Sequence, residues 1–75
     1  PLDENRMVRA LEAGQLIICI MGPGVFTTTG HYIVLTGVED GKFQVNDPNS
    51  RENSQKLWDY DEFADQIRNL WAIGA

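Results

Sequence analysis

Two runs of β-type residues meet at a turn signal, and this pairing constrains the fold more than any other feature of the chain. Residues 31–38 read HYIVLTGV and residues 42–45 read KFQV, with Glu39-Asp40-Gly41 between them. Branched and aromatic side chains suit a pleated, half-buried surface, and Asp-Gly adopts positive φ at little steric cost. The pattern predicts an antiparallel hairpin with one of two loops. A two-residue Asp40-Gly41 turn pairs Glu39 with Lys42. A three-residue loop with Gly41 at positive φ pairs Val38 with Lys42. The difference matters because a slip of one residue sends a strand's side chains to the opposite face. In the first register Phe43 and Val45 share a face with Val34, Thr36 and Val38; in the second they share it with Ile33 and Leu35. The second matches larger aliphatics and keeps Thr36 out of the core, so it is the preferred register. It also sets Ile33 opposite Asp47 and His31 diagonal to Asp47. Such diagonal neighbours lie about 7–8 Å apart at the backbone, within reach of two polar side chains. The first register places His31 and Asp47 on opposite faces.

Around the hairpin the chain alternates helix and strand signals. Residues 2–13 predict a helix with Asp3 as N-cap, Leu2 and Met7 as a hydrophobic staple, and Met7, Val8 and Leu11 as a narrow apolar face. Gly14 stands where a left-handed residue commonly stops a helix. Residues 15–21 (QLIICIM) predict a strand ended by Gly22-Pro23-Gly24, and their unbroken apolar character predicts cover on both faces. Residues 25–30 predict an irregular connection. Asp47-Pro48-Asn49-Ser50 ends the third strand, since Pro cannot continue a ladder. Asp59-x-x-Glu62 fits a capping box, with Trp58 and Phe63 as its staple. Phe63, Ile67 and Leu70 then fall on one helical stripe, and residues 70–75 return as a strand. Together these predict an α+β fold, an antiparallel sheet with flanking helices.

Composition narrows the possible functions. The chain has 75 residues, 8.4 kDa, the mass of one small domain. Six Lys and Arg against eleven Asp and Glu leave a net charge of −5, which argues against nucleic-acid and anionic-membrane surfaces. One cysteine excludes an internal disulfide and a Cys-rich zinc site. The longest apolar run, Leu16 to Met21, is too short to insert in a bilayer, and no charged-then-apolar leader pattern stands before it. The opening on Pro1 predicts a piece of a longer or processed polypeptide. Apolar burial at this size is worth about 110 kcal/mol at ~25 cal/mol/Å². Ordering the chain costs about the same at ~1.5 kcal/mol per residue, which predicts marginal stability.

Gly30-His31-Tyr32-Ile33-Val34-Leu35-Thr36-Gly37, followed by Asp40-Gly41-Lys42-Phe43-Gln44-Val45-Asn46-Asp47-Pro48, resembles the His–Asp hairpin of papain-like cysteine peptidases. The nearest resemblance is to the bacteriocin-leader-processing branch and its free-standing bacterial relatives. ALEAGQLIICIMGPGVFTTTGHYIVL resembles the segment before the family's histidine, and LWDYDEFADQIRNLWAI its closing helix and strand. The resemblance implies the C-terminal half of a papain-like fold, a single partial domain over residues 1–75. His31 matches the general base and Asp47 the acid that orients it. No position matches the family's nucleophilic Cys at a helix start or its oxyanion-hole Gln.

A thiol becomes nucleophilic when an adjacent imidazole takes its proton, and a carboxylate on the other ring nitrogen holds the tautomer. His31 and Asp47 are therefore the expected catalytic pair, in a chain that is inactive alone. The histidine can also be read as a hydrogen-bonded structural residue, and Asp47 as a turn former. Cys19 lies mid-strand in an apolar run and is expected in the core. Trp58 and Trp71 are expected as staple and core residues rather than a peptide groove. Asp59, Asp61, Glu62 and Asp65 favour a helix start over a metal site, and their spacing fits no calcium loop. No cofactor is implied. Two functions follow: part of a cysteine peptidase, or a non-catalytic relative that binds peptides or acts as a scaffold. The expected partners are a peptide or protein substrate and either the N-terminal half of the domain or a second copy. The family implies export or a bacterial cell surface.

Overall fold

The computed structural model describes residues 2–74. Helix α1, Glu4–Glu12, starts and stops by local chemistry. The Asp3 carboxylate accepts from the N–H groups of Asn5 and Arg6 at 2.9 and 3.4 Å. At the other end Gly14 has φ +92°, Gly14 N–H donates to Leu11 O, and Gln15 N–H donates to Ala10 O. These two bonds satisfy carbonyls that the helix end leaves free. Met7 and Leu11 are buried against the sheet, with Val8 beside them, whereas Leu2 stays exposed.

Strands β1 (Leu16–Met21), β2 (His31–Glu39), β3 (Lys42–Asn46), β4 (Leu57–Trp58) and β5 (Ile67–Ile73) form one antiparallel sheet in the order β4-β3-β2-β1-β5. Short helices α2 (Arg51–Gln55) and α3 (Tyr60–Phe63) flank β4, and one 3₁₀ turn, Ala64–Gln66, leads into β5. The chain is thus α+β around an antiparallel sheet.

One face of the sheet carries the core. Ile17, Cys19, Met21, Ile33, Leu35, Phe43 and Val45 are buried there together with Met7 and Leu11. Phe26, from the irregular connection, joins Trp58 and Phe63 at ring-centroid distances of 4.6 and 6.0 Å. The opposite face exposes Leu16, Ile20, Tyr32, Trp71 and Ile73. The expectation that β1 is covered on both sides is therefore corrected: its burial alternates. An unbroken apolar run specifies apolar surroundings but does not supply the second layer.

The hairpin combines both sequence-level registers. Asp40 and Gly41 have φ +54° and +78°, and Glu39 pairs with Lys42, so the turn has two residues and the preferred three-residue loop is wrong. Two positive φ values match the right-handed twist of the flanking strands. Between Leu35 and Gly37 the register then shifts by one. Thr36 is the extra residue of a β-bulge, its hydroxyl 3.4 Å from Gln44 O. Beyond the bulge Leu35 pairs with Val45 and Val34 with Asn46, the register expected from the aliphatic match. Packing thus wins at one end of the hairpin and turn geometry at the other.

A second bulge corrects the C-terminal helix. The helix expected through Leu70 ends at Phe63, and Ile67 and Leu70 belong to β5. Asn69 pairs with Ile20 while Ile67 pairs with Met21, which leaves Arg68 as the extra residue. The bulge lets two residues three apart, Ile67 and Leu70, both pack on the core. Their spacing therefore imitates a helical stripe.

Candidate functional site

His31 is the first residue of β2 and pairs with Met21, so its ring lies on the core side at the end of the sheet. Asp47 follows β3 directly and bridges to Ser50. His31 Nε2 lies 3.2 Å from Asp47 Oδ1, with the His31 side chain 12 % exposed and that of Asp47 0 %. The structure thus brings the two sequence-predicted residues together on one face. The carboxylate is held from several directions. Oδ1 accepts from Asn49 N–H at 2.9 Å and Oδ2 from Asn53 Nδ2 at 3.1 Å. Its own N–H donates to Ser54 Oγ at 2.8 Å, and the Ser54 hydroxyl is placed to donate to Asp47 O and Ser50 O. A buried carboxylate persists only with such partners.

Helix α2 supplies two of those partners, Asn53 and Ser54, and the turn before it supplies Asn49. Ser50 caps it by accepting from Asn53 N–H at 3.0 Å, and Trp58 Nε1 donates to Asn53 O at 3.0 Å. The aromatic core thereby reaches the polar site through a single helical turn. The sequence marks Asn49 only as a turn residue and gives Asn53 and Ser54 no role at the site. The Asp47-x-Asn49 spacing of an Asx turn was the available signal for the first.

The imidazole's other nitrogen, Nδ1, lies 2.6 Å from Asn49 Nδ2. Nε2 is buried and close to Asp47, but its contact is not aligned as a hydrogen bond. In chemical terms the arrangement is an imidazole between an acceptor-only carboxylate and a donor amide. Such a ring can take a proton at Nδ1 while a carboxylate faces the positive charge that forms.

Cys19 does not join this site. It is fully buried in the core, and burial pushes its thiol up from 9.0 to about 12. At pH 8 the thiolate fraction of such a group is about one in ten thousand. Cys19 in the folded chain is expected to resist alkylation at pH 8 and to react rapidly after denaturation, as read by mass spectrometry. Because the folded thiol holds its proton more tightly than the unfolded one, its contribution to stability is present below pH 9.0 and declines toward pH 12.

Trp58 is buried in the core, whereas Trp71 lies on the exposed sheet face, contrary to its expected core role. Neither lines the groove of about 630 Å³ between α1 and β5, and that groove contains neither His31 nor Asp47. Of the acidic residues around α3, Glu62 closes the helix start. Glu62 Oε1 accepts from Asp59 N–H at 2.8 Å, and this bond, with Lys56 nearby, holds Glu62 below its ordinary carboxylate range. Among the described residues no three His, Cys, Asp or Glu side chains cluster as a metal site, and no helix is long and apolar enough to cross a membrane.

Comparison with known proteins places this geometry in context. The family described as Peptidase_C39 like family matches residues 3–73. No curated protein matches the chain, and no solved structure matches it.

Proposed function

From the premise that the chain belongs to the Peptidase_C39 like family, we propose that it supplies the general base and orienting acid of a cysteine peptidase that cleaves peptide bonds. The nucleophilic thiol then comes from an N-terminal half of the same domain, outside these 75 residues. The observation that carries this reading is the 3.2 Å approach of His31 Nε2 to the fully buried carboxylate of Asp47. In the proposed reaction Nδ1 of His31 takes the thiol proton, and the thiolate attacks the peptide carbonyl carbon. The imidazolium faces Asp47 meanwhile and then protonates the leaving amine as the C–N bond breaks, which regenerates the base. That base then takes a proton from water, whose oxygen attacks the thioester, and returns it to the departing thiolate. The burial and raised pKa of Cys19 argue against it as that thiol. The exposed apolar sheet face, with Leu16, Ile20, Tyr32, Trp71 and Ile73, supports a chain that is one part of a larger domain.

The test compares the chain alone with a polypeptide that also contains the thiol-bearing half. The chain alone is expected to hydrolyse no peptide. The longer polypeptide is expected to turn over peptides, with kcat reduced about 10²- to 10⁴-fold in His31→Ala. Hydrolysis by the chain alone that disappears in Cys19→Ser overturns the reading. Peptide binding without turnover in the longer polypeptide favours the non-catalytic relative instead.

A further inference from the structure

We propose that Asn49 is a positioning residue for His31, holding the imidazole in the tautomer with Nδ1 free of hydrogen and covering that nitrogen until a proton donor replaces it. The catalytic meaning of this proposal rests on the function proposed above; the positioning itself does not.

The two ring nitrogens differ in how they are held. Nε2 sits 3.2 Å from Asp47 Oδ1, yet it is buried without an aligned hydrogen bond. Nδ1 has the close contact, 2.6 Å to Asn49 Nδ2. Among the described residues the carboxylate alone therefore does not hold the ring. An amide N–H can only donate, so Nδ1 must accept, and the ring hydrogen must sit on Nε2. A carboxylate can only accept, and it faces that same Nε2. Both contacts thus demand one tautomer.

The two partners are also tied to each other. Asn49 N–H donates to Asp47 Oδ1 at 2.9 Å, the oxygen that approaches Nε2. Pro48 between them restricts the backbone to a narrow φ range, so a short rigid turn brackets the ring from both sides. Their burial differs, however. The Asp47 side chain is 0 % exposed, whereas Asn49 is exposed. One contact is fixed and the other is releasable. The releasable one covers the lone pair that must receive a thiol proton.

The test uses the 75-residue chain with ¹⁵N-labelled histidine. In the neutral ring the long-range ¹H–¹⁵N spectrum is expected to show hydrogen on Nε2 and a bare Nδ1. Asn49→Asp replaces the donor with an acceptor, so both ring nitrogens face carboxylates and hydrogen is expected on Nδ1 as well as on Nε2. Asn49→Ala is expected to raise the rate of His31 carbethoxylation by diethyl pyrocarbonate about 2- to 12-fold, the factor that corresponds to one ordinary hydrogen bond. Hydrogen on Nδ1 in the unsubstituted chain overturns the proposal without any variant having to fold. So does Asn49→Ala with an unchanged spectrum and an unchanged rate. If the tautomer behaves as expected and the longer polypeptide lacks peptidase activity, the functional reading fails and the positioning of His31 by Asn49 stands.

Discussion

Asp47→Ala is expected to destabilise the chain by about 3–5 kcal/mol, because one substitution takes the acceptor from several donors at once. The carboxylate accepts from Asn49 N–H and Asn53 Nδ2 and lies beside His31 Nε2, all at the junction of β3 and α2. Alanine leaves these part-buried donors without their acceptor, and a donor that is shut off from water without a partner costs about 1–3 kcal/mol. A domain of this length has only about 4–11 kcal/mol in total. The melting temperature is therefore expected to fall by at least about 12 °C in a thermal melt followed by circular dichroism. Asp47→Asn keeps the volume and one acceptor oxygen, so its loss should be distinctly smaller. A melting temperature within a few degrees of the parent for Asp47→Ala would show that the cluster does not hold this corner. In the longer polypeptide proposed above, Asp47→Asn should lower kcat while leaving most of the fold intact, because the amide can present an N–H where Nε2 needs an acceptor.

Phe63→Ala is the second large effect, at about 3–5 kcal/mol for a fully buried aromatic. Phe63 is 0 % exposed, with rings of Phe43, Phe26 and Tyr60 at 5.8, 6.0 and 6.3 Å. Helix α3 has only four residues, Tyr60–Phe63, too few to persist by its own hydrogen bonds. The aromatic contact is what docks it, and the same cluster includes Phe26 and Trp58, whose indole N–H reaches Asn53 O. The loss should therefore spread beyond α3 to α2 and the Asp47 site. Urea unfolding and hydrogen exchange at Asn53 and Ser54 measure this spread. Exchange at those two amides that is unchanged in Phe63→Ala would disconnect the aromatic cluster from the site.

The parts legible in the sequence are those decided within a few residues. Asp3 and Gly14 bound α1 as expected, because capping is chemistry between near neighbours. The hairpin, the strand before it and the turn at Asp47-Pro48 were legible for the same reason. The shared face of His31 and Asp47 was also expected, but by a route only partly right. The argument from aliphatic matching found the register beyond Thr36, while the loop type it was tied to is not the one formed. A bulge reconciles them, and nothing local at Thr36 announces it.

What only the tertiary structure decided is where a local pattern has two solutions. Ile67 and Leu70, three residues apart, suit either a helix or a bulged strand. Pairing with β1 selects the strand, because it joins six of the seven residues of β5 to a neighbour. The exposed face of β1 is likewise a matter of which layers are present, which an apolar run cannot specify. Asn49 belongs to this class as well. As a turn residue it was legible, but its place on His31 Nδ1 joins residues eighteen positions apart, and that proximity exists only once the sheet has formed. The sequence by itself determined the caps of α1, where the chain turns and the residue types available for a His–Asp pair. The tertiary structure decided the bulges, the uncovered face and the second partner of the imidazole, since each depends on contacts between segments that no local propensity encodes.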